Sequence, residues 1–370
     1  MNYMTRKLLM GVLVSISCAA CCSTCPRGDQ PKHSWPIEGA PGEHALGNAL
    51  GEYQSYNLVN QHAGIDILSV PRDTANPAND APWVVATVGG KITCQNDGPN
   101  SLTNECTIKG DDGIAYRYLH LYLQINDPNS GIAAHNDGPI AAGDRIAQVI
   151  TFNPANFSHL HYDLKCDDKY LNPLRDIAGH VDYDFPFIHS IVFAVDRTDQ
   201  NGSPWQEFDD VPDNDPSCSP GIKMVKGPVD ILIKVEDHDG DGSTKPCAVD
   251  STVGIYGLRW TICSVSTSNC EDWKSIHSFN DMPADWTERP GNEFSLAQYS
   301  VTPNWQSEFG YCTKDLAVLI VTDVENDAPS ASGSWQTTRL SDGQYVFKVE
   351  VTDFGGNITP KEQNICVRNH

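Results

Sequence analysis

Five side chains in three short stretches have the types and spacing to hold and use a divalent metal ion. They are His62 and Asp66 in His62-Ala63-Gly64-Ile65-Asp66, His120 in Tyr118-Leu119-His120-Leu121, and His159 and His161 in His159-Leu160-His161. A catalytic zinc takes three protein ligands from His, Asp, Glu or Cys and keeps a fourth position open. Side chains alternate faces along an extended strand. His62 and Asp66 therefore point the same way, as do His159 and His161, and each pair can converge on one ion.

Strands must do the positioning. Apolar residues alternate through Ala63, Ile65 and Ile67, and again through Leu160, Tyr162 and Leu164, a period of two. Short apolar runs at 83–86, 90–93, 115–118 and 145–149, divided by Gly, Asn and Asp, predict an all-β domain over residues 59–180. Residues 71–82 and 126–139 read as inserted loops. A second all-β region is expected over 185–370, with strands predicted at 188–195, 229–235, 256–263, 316–322 and 345–351. Many short strands with long turns point to a sandwich. Residues 23–58, rich in Pro, Gly and polar residues without a sustained period, read as a leader segment that wraps the first domain.

At 370 residues the chain exceeds the size at which a single core usually stops growing, which agrees with two domains. Lys and Arg number 25 against 48 Asp and Glu, a formal net charge of -23. Such a chain repels phosphate backbones and anionic bilayers, so no nucleic-acid partner is expected. Arg6 and Lys7 followed by an apolar run over 8–20 suit a secretory signal ending near residue 22. Cys18, Cys21, Cys22 and Cys25 crowd its end. Ala19-Ala20-Cys21 resembles a lipoprotein signal in which Cys21 or Cys22 is lipidated, with conventional cleavage as the alternative. An N-terminal lipid anchor is thus the one membrane contact expected. The expected location is exported: periplasmic, outer-membrane-anchored or extracellular.

In an oxidising compartment the remaining cysteines read as bridges. Cys94 and Cys106 flank the turn-rich Asn96-Asp97-Gly98-Pro99-Asn100, and Cys263 and Cys270 flank a second short turn, so each pair is expected to staple a hairpin.

His-x-x-x-Asp followed by Tyr-x-His-Leu and then His-Leu-His resembles the lysostaphin-type (LytM-like) zinc metallopeptidases, exported enzymes that cut peptide bonds in bacterial peptidoglycan. Pro139-Ile140-Ala141-Ala142-Gly143-Asp144 is similar to the family's Gly-Asp turn, and Val84-Val85-Ala86 with Gly89-Gly90-Lys91-Ile92 to its apolar-Ala…Gly strand. The resemblance spans about residues 59–173. It implies an antiparallel metallopeptidase domain of the duplicated hybrid motif type. It also implies one Zn²⁺ on His62, Asp66 and His161, with His120 and His159 beside the metal as catalytic residues. A neutral imidazole next to such an ion can take a proton, and another can hold a developing oxyanion. The base role falls to His159 and the oxyanion or leaving-group role to His120, with the reverse left open. Residues 151–158 depart from the family's Gly-rich stretch, which leaves the cleaved bond open between peptidoglycan cross-links and Gly-rich peptides. The ending over 342–357 resembles bacterial immunoglobulin-like domains, which implies a C-terminal sandwich that meets a surface partner.

Asp237-His238-Asp239-Gly240-Asp241-Gly242 puts alternating carboxylates in a Gly-bearing loop, a pattern that suits Ca²⁺ at Asp237, Asp239 and Asp241. The twelfth place of an EF-hand, however, is Ala248 rather than Glu, and a solvated loop is the competing reading. The function expected is a zinc metalloendopeptidase. The alternatives are a non-catalytic wall-binding activator or a surface adhesion protein on the same fold.

Overall fold

The structure is a computed structural model and describes residues 33–39, 46–51, 53–54, 60–69, 82–98, 101–123, 137–152, 158–180, 182, 184–195, 206–238, 252–253, 255–275, 280–283, 317–322, 324–325, 328–329 and 333–370. The expected signal, Cys21, Cys22, most of both inserted loops, and Asp239 and Asp241 lie outside these residues. Among the described residues the chain is all-β, with one four-residue α-helix, Pro173–Asp176, capped by Asn172, and a short 3-10 turn at Thr337–Arg339. No helix among the described residues is long and apolar enough to cross a membrane.

In the first lobe the described strands form a large sheet in the order Leu46–Asn48, Ile65–Leu68, His159–Cys166, Ala115–Leu119, Glu105–Lys109, Gly90–Gln95 and Pro139–Ile140. Lys169–Leu171 also pairs with His159–Cys166, and Asp281–Pro283, a segment expected in the second region, pairs with Lys169–Leu171. A smaller sheet of Trp83–Val85, Arg145–Val149 and Leu121–Tyr122 packs with it. The alternation read from sequence is realised here. Ile65, Ile67, Leu160, Tyr162 and Leu164 are all buried in one core, each such side chain contributing about 1.5–3 kcal/mol. Tyr118 and Tyr162 meet in that core, and the Thr87 hydroxyl lies 2.7 Å from Tyr118 Oη and 2.9 Å from Tyr162 Oη. The phenols are thereby satisfied without water.

Described residues ahead of 59 belong to this lobe. Trp35, Ile37 and Leu46 are buried in its core, and Leu46–Asn48 pairs antiparallel with Ile65–Leu68.

The second lobe packs two sheets face to face. One holds Phe187–Val195, Pro228–His238, Thr252–Val253, Ala317–Ile320 and Trp335–Gln336. The other holds Lys223–Val225, Ile358–Val367, Gly343–Thr352, Gly257–Ser264 and Lys274–Ser275. Phe193, Val229, Ile231 and Ile233 from the first meet Trp260, Ile262, Phe347 and Val349 from the second. The architecture is thus a β-sandwich.

Both expected hairpin bridges form, Cys94–Cys106 and Cys263–Cys270, each within an antiparallel pair. A third, Cys218–Cys366, closes a separation of 148 residues and could not be read from spacing.

Candidate metal centre

Asp66 and His161 sit directly opposite one another where Ile65–Leu68 pairs antiparallel with His159–Cys166. Facing positions bring Cβ atoms to within about 5.5 Å, close enough for both side chains to reach one point. His62 enters from the turn before Ile65. The three donor atoms form a triangle: His62 Nε2 to Asp66 Oδ1 is 3.1 Å, His62 Nε2 to His161 Nδ1 is 2.9 Å, and His161 Nδ1 to Asp66 Oδ1 is 2.9 Å. Bonds of about 2.0–2.1 Å to a tetrahedral zinc put ligand atoms about 3.3 Å apart, so the triangle has nearly the size such an ion needs.

The chemistry of the donor set also fits. His62 Nδ1–H donates to the Ala49 carbonyl at 3.2 Å, which leaves Nε2 as a lone pair facing the triangle. His161 Nε2 lies 3.3 Å from Asp163 Oδ2, which leaves its Nδ1 to face inward. Asp66 Oδ2 accepts from Asn48 Nδ2 at 2.5 Å, turning Oδ1 toward the imidazoles. Three acceptors therefore converge in a buried space, an arrangement that a cation or a proton must reconcile. Burial opposes ionisation of Asp66, but His159, His62 and His161 around it hold its pKa well below the ordinary value. Burial likewise opposes the charge on His161, yet Asp163 and Asp66 outweigh it and raise its pKa to about 9.

The outer partners extend further. Asp163 faces Arg117 across the next strand pairing, with Nη1 3.3 Å from Oδ2, and Arg117 Nη2 donates to Glu105 Oε2 at 2.9 Å. Gly64 explains the small residue in the first motif, since a Cβ there would collide with the Tyr162 carbonyl and come within 2.7 Å of Asp163 Cβ. None of Asn48, Ala49, Gly64, Arg117 or Asp163 was singled out from sequence. Asp163 had a readable signal, because it continues the His159, His161 alternation onto the same face.

His120 needs a different device. Tyr118 pairs with Tyr162 and faces the core, so unbroken alternation would bury His120 beside them. Instead His120 has φ 65°, the left-handed region, between Ala115–Leu119 and Leu121–Tyr122. A non-Gly residue held there costs about 1–2 kcal/mol. The kink swings the ring to the metal side, with its centroid 4.9 Å from that of His159 and 6.0 Å from that of His161. Its Nδ1–H donates to the Leu102 carbonyl at 2.7 Å. Burial, with the nearby His159 and His161, pushes its pKa down to about 3. His159 Nε2 lies 3.5 Å from Asp66 Oδ1, and its ring packs on Phe152 at 4.5 Å. The five expected side chains therefore lie in one cluster.

The expected calcium residues fall apart from this site. Asp239 and Asp241 are outside the described residues, while Asp237 turns inward at the end of Pro228–His238. His180 and His189, which match no motif, stack on Trp35 and pair with Glu236 respectively.

The chain matches no known family model, and no curated protein matches it. Among solved structures it is similar to the catalytic domain of lysostaphin from Staphylococcus simulans, at 19% identity over 33% of this chain and 80% of that one, with a TM-score of 0.24. Full-length lysostaphin from the same organism aligns at 13% identity over 67% of this chain and 100% of that one, TM-score 0.30. A chain of the SpoIIQ–SpoIIIAH pore-forming complex aligns at 14% identity over 40% of this chain and 92% of that one, TM-score 0.30. The reading of the site rests on its own residues and distances.

Proposed function

We propose that the protein is an exported zinc metalloendopeptidase that hydrolyses peptide bonds in peptidoglycan cross-links or Gly-rich peptides. The observation carrying this reading is the triangle of His62 Nε2, Asp66 Oδ1 and His161 Nδ1 at 2.9–3.1 Å, with two further imidazoles beside it. His62, Asp66 and His161 would hold the ion. Zinc in such a site polarises a carbonyl and lowers the pKa of a coordinated water.

The remaining work falls to His120 and His159. His120, with its Nδ1 proton committed to Leu102 and its pKa near 3, stays neutral and presents Nε2 as an acceptor. A pKa near 3 also makes His120 a weak base, so the base and oxyanion roles stay shared between His159 and His120 as the sequence left them. The imidazole packed on Phe152 is sheltered from water on that face, which keeps its hydrogen bonds directional. The sandwich would place the catalytic lobe on a wall or surface partner, a role argued from architecture alone.

The test is incubation of zinc-loaded protein with peptidoglycan and with oligoglycine peptides, followed by mass spectrometry of the products. Peptide cleavage that disappears in His161→Ala supports the assignment. A zinc-replete protein that cleaves neither substrate points instead to the activator or adhesion reading.

A further inference from the structure

A second group of carboxylates lies away from the zinc triangle, where the two lobes meet. Asp182 belongs to the segment joining Ile177 of the first core to Ile188 of the second. Asp237 stands at the end of the Pro228–His238 strand, and Asp353 opens the turn between Gly343–Thr352 and Ile358–Val367. One carboxylate oxygen from each lies within 4.8 Å of the others, and the residues are only 7%, 1% and 1% exposed. Phe354, next to Asp353, packs against both cores, which puts this turn at the junction.

The turn is built to hold Asp353 in one orientation. Its Oδ1 accepts the Asn357 N–H at 2.7 Å, and Asn357 Nδ2 donates to the carbonyls of Asp182 at 3.1 Å and Asp184 at 2.8 Å. Asp182 Oδ1 accepts the Asp184 N–H at 2.9 Å. A Cβ at Gly355 would come 2.7 Å from Asp182 Cβ, so only glycine lets the linker lie this close. After all this, Asp353 Oδ2 is buried with no hydrogen-bond partner among the described residues, on a side chain that belongs to the cluster. An unsatisfied buried acceptor is destabilising, and more so when it is charged. Burial pushes the Asp353 carboxyl above its ordinary pKa, even though the amides of Asn357, Gly356 and Gly355 pull the other way.

We propose that Asp182, Asp237 and Asp353 bind one Ca²⁺ that clamps the interlobe linker to the end of the sandwich. The donor set is all oxygen, which suits a hard divalent cation and not zinc or copper. This set shares only Asp237 with the loop expected from sequence, and it stands independently of the zinc reading. The cation would bridge three buried carboxylates from three separate segments and offset two of their three charges, so its binding fixes how the first lobe is carried on the sandwich.

The test is isothermal titration calorimetry of the zinc-loaded full chain with CaCl₂, alongside Asp353→Asn, Asp182→Asn and an Asp239→Asn/Asp241→Asn loop variant. One calcium per chain is expected, weakened about tenfold or more by Asp353→Asn and by Asp182→Asn, unchanged in the loop variant, with zinc content constant throughout. Calcium should also raise the wild-type unfolding temperature. If Asp353→Asn does not fold, as judged by far-UV circular dichroism and loss of a cooperative unfolding transition, Asp182→Asn carries the decision. No calcium uptake at millimolar CaCl₂, or uptake unaffected by the Asn variants, overturns the proposal.

Discussion

His161 Nε2 lies 3.3 Å from Oδ2 of Asp163, two residues further along the same strand, and this pairing decides which nitrogen of His161 faces Asp66. Metal-ligating histidines commonly need such an outer partner to fix ring and tautomer. Asp163→Asn should therefore weaken zinc binding by about 10- to 100-fold while leaving the three donor residues in place. Zinc competition with a chromogenic chelator measures this. An unchanged affinity would show that packing alone orients the ring.

Zinc loading should release a proton from His161. Its pKa in the metal-free protein is raised from 6.5 to about 9, so near neutral pH it is protonated and must lose that proton to become a donor. Zinc affinity should rise with pH up to about 9 and then level off. The sign for stability is opposite. A group with a raised folded-state pKa stabilises fully below its unfolded value, so metal-free protein should lose that contribution as pH climbs from 6.5 through about 9. Calorimetry in buffers of different ionisation enthalpy counts the proton; a pH-independent affinity between 6.5 and 9 contradicts the assignment.

His120→Gly and His120→Ala should both retain zinc and lose turnover, since His120 lies beside the triangle and is not a vertex of it. Their stabilities should differ. At φ 65° glycine is relieved of the strain that alanine keeps, so the Gly variant should be about 1 kcal/mol more stable than the Ala variant. Denaturant unfolding ranks the two. The reverse order would mean that the left-handed turn is not maintained.

Gly64→Ala should disturb both fold and metal, because the added methyl would meet the Tyr162 carbonyl and the Asp163 side chain. Overpacking of this kind costs about 1–3 kcal/mol, and here the displaced neighbour is the partner of His161. Reduced stability together with weakened zinc binding is expected. Full zinc affinity in a destabilised protein would separate the two effects.

The strands were legible because their side chains alternate. Ile65 and Ile67, then Leu160, Tyr162 and Leu164, mark one face for the core, and the residues between them, Asp66, His159 and His161, are left to face one another. His120 shows where that logic stops, since only a left-handed residue frees it from Tyr118's face and nothing in a His-Leu neighbourhood announces one. Asn48 and Ala49 were hidden for another reason. They reach the site by a strand pairing across the chain, within a stretch whose Pro, Gly and polar content gives no period to read. The hairpin bridges were visible from short spacing, whereas Cys218–Cys366 depends on the closure of the whole sandwich.

The contact from Asn48 to the Asp66 carboxylate bears on how the protein can be dissected. A fragment starting at residue 59 keeps every motif residue yet discards an edge strand, the amide that orients the Asp66 carboxylate, and the carbonyl that sets the tautomer of His62. The smallest unit that keeps the whole site therefore begins upstream of Trp35, and a failed activity assay on a motif-only fragment would say nothing against the proposed activity of the full chain.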